Sequence, residues 1–91
     1  MSDQKATRTV VVTDPAGVHA RTAVAIAKAV RKFHSKVALC KDYQKADGTD
    51  VLQMLSLVVL CGSQVVVEAT GPDAEEVLDA VEPLFAEQGI S

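Results

Sequence analysis

Two periods alternate along this chain, and the switches between them mark its elements. Residues 7–13, TRTVVVT, are short and β-branched, which predicts a first strand. Asp14-Pro15-Ala16-Gly17 breaks it with turn formers. From Ala20 the apolar positions fall three and four residues apart: Ala23, Ile26, Ala27, Val30 and Phe33 share one face of a helix. Arg31 and Lys32 near its end suit a helix C-terminus. Residues 35–41, SKVALCK, alternate weakly and predict a second strand. A turn or a short third strand follows around Tyr43, and Ala46-Asp47-Gly48 is a turn signal.

Asp50 is a candidate N-cap for VLQMLSLVVL, where Val51, Met54, Leu55 and Val58 share a helical face. The end of that run, Leu57 to Leu60, is open to extended structure, and Cys61-Gly62-Ser63 stops it. Residues 64–70, QVVVEAT, read as a strand. Asp73 is a cap candidate for the last helix, with Glu76 at capping-box spacing. Ala74, Val77, Leu78, Val81, Leu84 and Phe85 form its apolar face, and Pro83 kinks or shortens it. The order is β-α-β-β-α-β-α. One sheet covered on one side by three one-sided helices buries these faces most simply, an α+β sandwich. The middle β-β pair is expected to be an antiparallel hairpin.

The chain has 91 residues, enough for one small domain with a core over about 7–86. Hydrophobic residues make up 48% but aromatics only 3%, so the core must be built from Val, Leu, Ile and Ala. A formal net charge of -3 argues against a general nucleic-acid binder, which carries a basic stripe. No apolar stretch reaches the roughly 18 residues of a membrane span. The N-terminal MSDQKATRTV has no apolar signal region, so a cytoplasmic protein is expected. Cys40 and Cys61 are read as reduced core or strand residues. With His19 and His34 they lack metal-ligand spacing, so neither a zinc site nor a cofactor is expected.

His19 stands where the first helix begins. A helix N-terminus leaves backbone N–H groups unpartnered and carries partial positive charge, so it binds phosphate. Arg21 in the first turn opposes the dipole, an expense that an anion held between its guanidinium and the free N–H groups of Ala20 and Arg21 offsets. A neutral imidazole is a nucleophile for phosphoryl groups. Local physics leaves a second reading open, with His19 a solvated loop residue and Arg21 a surface charge.

The segment GVHARTAVAIAKAVRKF resembles the active-site segment of HPr, the histidine-containing phosphocarrier family of the phosphoenolpyruvate-dependent sugar phosphotransferase system. Gly17, Val18, His19, Ala20, Arg21, Ala23 and Phe33 carry the likeness. The stretch TDVLQMLSLVVLCGSQVVVEATGPDAEEVLDAV extends it through Leu55-Ser56-Leu57, Gly62, Gly71 and Asp73-Ala74, so it covers about Thr7 to Phe85. The resemblance implies an open-faced β-sandwich, a four-stranded antiparallel sheet with three helices on one face. It implies that His19 accepts a phosphoryl group at Nδ1 from Enzyme I, assisted by Arg21, and passes it to an Enzyme IIA. Such a protein is a carrier, not a stand-alone enzyme. A regulatory relative, docking in nitrogen-related or other signalling, is the alternative. Nothing in the chain demands more than a monomer.

The family's partners bind around the histidine and the second helix. Val24 lies off the apolar stripe of the first helix, so Val24, Val51 and Leu52 are candidates for a docking patch, with Leu55 beside them. Burial is the first reading of Val51 and Leu55, and docking the second. Lys28 either complements an acidic partner or is a solvated lysine. Two positions depart from the family. Thr22 replaces its usual proline, adding an N–H and a hydroxyl near the anion site. Asp50 stands where many members carry a regulatory serine; a carboxylate cannot take that phosphate, and it either caps the helix or partly mimics a phosphoserine. Ser56 matches a common family serine without an assigned role. His34 is read as a helix C-terminal partner or an exposed residue, not a second phosphosite.

Overall fold

The computed structural model describes residues 4–86. The elements run β1 (Gln4–Val11), α1 (Ala20–Val30), β2 (Lys36–Lys41), β3 (Gln44–Asp47), α2 (Val51–Ser56), β4 (Gln64–Gly71) and α3 (Ala74–Val81), followed by a 3₁₀ turn, Glu82–Phe85. The expected order holds. All strand pairs are antiparallel, in the order β1-β4-β2-β3. The last strand therefore inserts between the first and second, and β2–β3 forms the expected hairpin.

Alternation decides which face is covered. In β4, Val65, Val67 and Ala69 are buried while Val66, Glu68 and Thr70 between them are not. Val37 and Leu39 of β2 and Val10 of β1 lie on the buried side as well. Helix α1 sets Ala23, Ile26, Ala27 and Val30 against this face, and α3 sets Ala74, Val77, Leu78 and Val81. Phe85 closes the core, the one aromatic that is fully buried among the described residues. The other sheet face stays open, as expected of an open-faced sandwich.

Several boundaries moved, each for a local reason. β1 begins at Gln4 because Gln4 to Thr7 pair with Gly71 to Glu68 of β4, so ladder bonds override their weak strand propensity. α1 stops at Val30 and Arg31 is its C-cap, so Phe33 packs from the following turn rather than from the helix. Pro83 ends α3, and Leu84 and Phe85 reach the core from the 3₁₀ turn. Tyr43 is a fully exposed turn residue beside Asp42, whose φ of 55° is left-handed. Cys61 is not a core or strand residue. It sits exposed in the turn before β4, while Cys40 is half-buried in β2.

Asp73 occupies the N-cap position of α3, but its side chain makes no capping bond, and the capping-box expectation with Glu76 fails. Its carboxylate instead accepts from the His34 amide and the Ser35 hydroxyl, tying α3 to the start of β2. The hydroxyl of Ser35 and then the amide of His34 hold the Asp73 carboxyl below its ordinary value. A carboxyl lowered in the folded state stabilises the fold above the unfolded chain's pKa of about 3.9. That contribution is lost as pH falls through the lower folded value. Ser35→Ala is therefore expected to lower the melting temperature more at about pH 6 than at about pH 2. Equal losses at both pH values would contradict this.

Further along α3, Arg8 of β1 spans three carboxylates. Its Nη1 meets Asp79 at 2.8 Å and Glu82 at 3.0 Å, and its Nη2 meets Glu75 at 3.0 Å. Each exposed pair contributes little alone, but one planar guanidinium shared by three partners orients the helix on the strand.

Candidate functional site

The segment between β1 and α1 is fixed at both ends by backbone hydrogen bonds. Val12 N–H donates to Ser63 O at 2.9 Å, and Thr13 and Asp14 N–H both reach Phe85 O, at 3.2 and 3.4 Å. Gly17 N–H closes a turn on Asp14 O at 2.8 Å, and Val18 N–H donates to Val59 O at 2.9 Å. The close approach to Val59 explains Gly17, whose φ is +72°. Seven residues after β1, at Val18, the chain is thus pinned to the loop that follows α2, and His19 is delivered to the N-terminus of α1.

His19 is the N-cap of α1, with extended backbone at φ -115° and ψ -177°. Its carbonyl accepts from Ala23 N–H, but its side chain does not cap the helix. Among the described residues, the first-turn N–H groups of Ala20, Arg21 and Thr22 have no hydrogen-bond partner. Arg21 is exposed and makes no ion pair among the described residues. Unpartnered amides, a free guanidinium and an accessible imidazole thus stand together, an arrangement suited to an anion beside a nucleophile.

The imidazole is oriented. Its Nε2 lies 3.3 Å from Asp14 Oδ2 and 3.2 Å from Thr22 Oγ1. Asp14 is buried, and its other oxygen, Oδ1, accepts from Ala16 N–H at 2.9 Å. The Ala16 amide, ahead of the His19 side chain, holds the Asp14 carboxyl below its ordinary value against the opposing effect of desolvation. In the sequence Asp14 reads only as a turn former. The signal for more was an acid five residues ahead of the histidine in a turn that doubles back. Thr22 is fully buried, so the hydroxyl expected near the anion site faces the ring nitrogen.

The other candidates fall on two neighbouring helices. Val24 on α1 and Leu52 on α2 are exposed, at 40% and 78%. Val51 and Leu55 are half-buried and pack on the core. Lys28 is exposed on α1. The two helices touch, and Arg31 Nη2 donates to Thr49 O at 3.1 Å across the approach to α2. Val58 was expected on the helical face with Val51, Met54 and Leu55, but α2 ends at Ser56, so Val58 and Leu60 lie in the following loop and add exposed apolar surface. Val58 is held at φ 53°, a left-handed value that costs a β-branched residue about 1–3 kcal/mol. His34 is exposed beyond the far end of α1.

Asp50 caps α2. Its Oδ1 accepts from Gln53 N–H at 3.1 Å and its Oδ2 from Gln53 Nε2 at 3.1 Å, while Gln53 Oε1 accepts from Asp47 N–H at 3.0 Å. Asp50→Ala is expected to cost about 1 kcal/mol in chemical denaturation, the usual value of an N-cap. No loss at all would show that the bond from Asp47 N–H to Gln53 Oε1 carries the helix start instead.

No helix among the described residues is long and apolar enough to cross a membrane. A family profile described as the PTS HPr component phosphorylation site matches residues 6–87. The chain is similar to the phosphocarrier protein HPr of Treponema pallidum, 36% identical over 86% of this chain and 89% of that one. It is also similar to the phosphocarrier protein NPr of Escherichia coli, 39% identical over 86% of this chain and 88% of that one. Among solved structures it resembles an HPr from Thermoanaerobacter tengcongensis, with a TM-score of 0.82, 30% identity and coverage of 88% and 90%. It likewise resembles the HPr of Bacillus anthracis, with a TM-score of 0.82, 26% identity and coverage of 88% and 95%.

Proposed function

The chain belongs to the HPr family of phosphocarrier proteins, and on that premise we propose that it carries a phosphoryl group on His19. In this reading His19 accepts the group from phospho-Enzyme I and passes it to an Enzyme IIA of the phosphotransferase system. The observation that carries the proposal is the meeting of an accessible imidazole, unpartnered first-turn amides and the free Arg21 guanidinium at the start of α1. The Nδ1 lone pair attacks the phosphorus held on a donor histidine. A new N–P bond forms, the donor's N–P bond breaks, and its electron pair returns to the donor ring. The Ala20 and Arg21 amides and the Arg21 guanidinium hold the phosphoryl oxygens through the transfer.

Partners dock on the surface that joins α1 to α2. Val24 and Leu52 supply exposed apolar contact, Lys28 supplies charge, and Val51 and Leu55 support them from beneath. Asp50 occupies the regulatory-serine position as a helix cap, so this position takes no phosphate. The protein works as a cytoplasmic monomer without a cofactor, as a carrier rather than a stand-alone enzyme.

The likeness to NPr favours a second reading, in which the same phosphohistidine serves regulatory docking instead of sugar uptake. Both readings require phosphorylation. Incubation with phosphoenolpyruvate and Enzyme I is expected to introduce one acid-labile phosphate, with the ³¹P signature of a phosphohistidine. A chain that stays unlabelled with a competent Enzyme I would overturn both. Capture of partners by the phosphorylated protein separates them, since sugar uptake requires an Enzyme IIA of a sugar permease and the regulatory reading yields only regulators.

A further inference from the structure

We infer that Asp14 is a positioning residue for His19: its carboxylate keeps the imidazole proton on Nε2 and so leaves the lone pair on Nδ1. The inference rests on the carrier reading, to which it adds the reason one ring nitrogen, and not the other, is the nucleophile. A buried carboxylate is an acceptor only. With Asp14 Oδ2 at 3.3 Å and Thr22 Oγ1 at 3.2 Å, two oxygens converge on the same nitrogen. The neutral imidazole that satisfies both is the one with its proton on Nε2, shared between them. Nδ1 has no hydrogen bond among the described residues.

Asp14 is itself held still. Ala16 N–H binds its Oδ1 at 2.9 Å, and the Asp14 amide and carbonyl are engaged by Phe85 O and Gly17 N–H. The carboxylate therefore has one oxygen for the turn and one for the ring, and its approach to Nε2 does not depend on a mobile side chain. This matters again during transfer. When Nδ1 forms its bond to phosphorus, the ring keeps its Nε2 proton and becomes a phosphorylated imidazolium. The positive charge appears next to the Asp14 carboxylate, which lowers the energy of the charged ring without itself taking the proton. On return of the group the N–P electron pair goes back to Nδ1 and the charge disappears.

Asp14→Asn separates this role from a structural one. The asparagine carbonyl still accepts from Ala16 N–H and preserves the turn, but its amide now turns a donor toward Nε2. The proton is expected to move to Nδ1. Imidazole ¹⁵N shifts, recorded where the ring is neutral, read this directly and need no partner protein. The wild type is expected to show its proton on Nε2, and Asp14→Asn on Nδ1. Phosphorylation by Enzyme I is expected to slow at least about tenfold in the variant, the scale of a hydrogen bond to a charged group. Thr22→Val, which removes the second acceptor and keeps the carboxylate, is expected to leave the proton on Nε2. Backbone amide shifts away from the turn report whether each variant is folded.

A wild-type ring protonated on Nδ1, or a folded Asp14→Asn variant with unchanged ¹⁵N pattern and unchanged rate, would overturn the inference. A wild type that shows the expected tautomer but takes no phosphate from Enzyme I would overturn the carrier reading instead. If Asp14→Asn fails to fold, the wild-type tautomer together with Thr22→Val decides.

Discussion

His19→Ala is expected to take up no phosphate from phosphoenolpyruvate and Enzyme I, while its melting temperature shifts by no more than about 5 °C. The chemical part is total because no other described side chain can replace the imidazole. Arg21 is a cation without a lone pair, and Thr22 is buried with its hydroxyl against the ring. The second histidine, His34, lies past the other end of α1, a helix of 11 residues and so about 16 Å long. Its backbone amide is bound to Asp73, at a site with neither the free amides nor the guanidinium. The stability part is small because the His19 side chain is about a third exposed and adds nothing to the core. Label that persists in the variant would place the acceptor elsewhere and end the assignment. Loss of label together with unfolding would not fit the site described here.

Gly17→Ala is expected to lower unfolding stability by about 3 kcal/mol, within the range of backbone strain and broken hydrogen bonding combined. A Cβ on Gly17 would lie 2.2 Å from the carbonyl oxygen of Val59, and the φ of +72° disfavours any L side chain. The obstacle is backbone, so no rotamer change relieves it. The loop must move, and the Val18–Val59 hydrogen bond beside it weakens or breaks. Val59 is a buried residue and cannot retreat freely. His19, two residues on, then loses its fixed entry into α1, so phosphorylation is expected to slow in whatever fraction stays folded. Urea denaturation measures the first effect. A variant as stable as wild type would mean that the loop has an alternative path past Val59.

Much of this was legible in the residues and some was not, for reasons that differ. The helical stripe from Ala23 to Val30 and the β-branched strand QVVVEAT were legible as partners of the core, but which valines of the strand face inward was not, because Val65, Val66 and Val67 run together. Asp50 read as a cap and is one. Asp73 read the same way and is not, because Ser35 and His34, remote in sequence, compete for its carboxylate and win. Phe33, Leu84 and Phe85 kept their helical spacing but fell in turns, where packing does not need the helix to continue. Cys61 read as interior by type and is exposed by position. At the site, His19 and Arg21 were visible as a pair, and the likeness to HPr made the pair meaningful. Asp14 was hidden by its turn chemistry: the feature that makes an aspartate a good loop residue is the same one that holds its second oxygen against the ring.

The paired bonds from Thr13 and Asp14 to the Phe85 carbonyl join the opening of the loop that leads to His19 to the final turn of the described fold. Hydrogen exchange at those two amides is therefore a clock for a distant event. Each time the 3₁₀ turn lifts and Phe85 leaves the core, two protons more than seventy residues upstream become free to exchange. A ligand that quiets the turn would quiet the loop with no contact to it. Opening of this turn would correspondingly free the Asp14 amide, next to the carboxylate that orients His19.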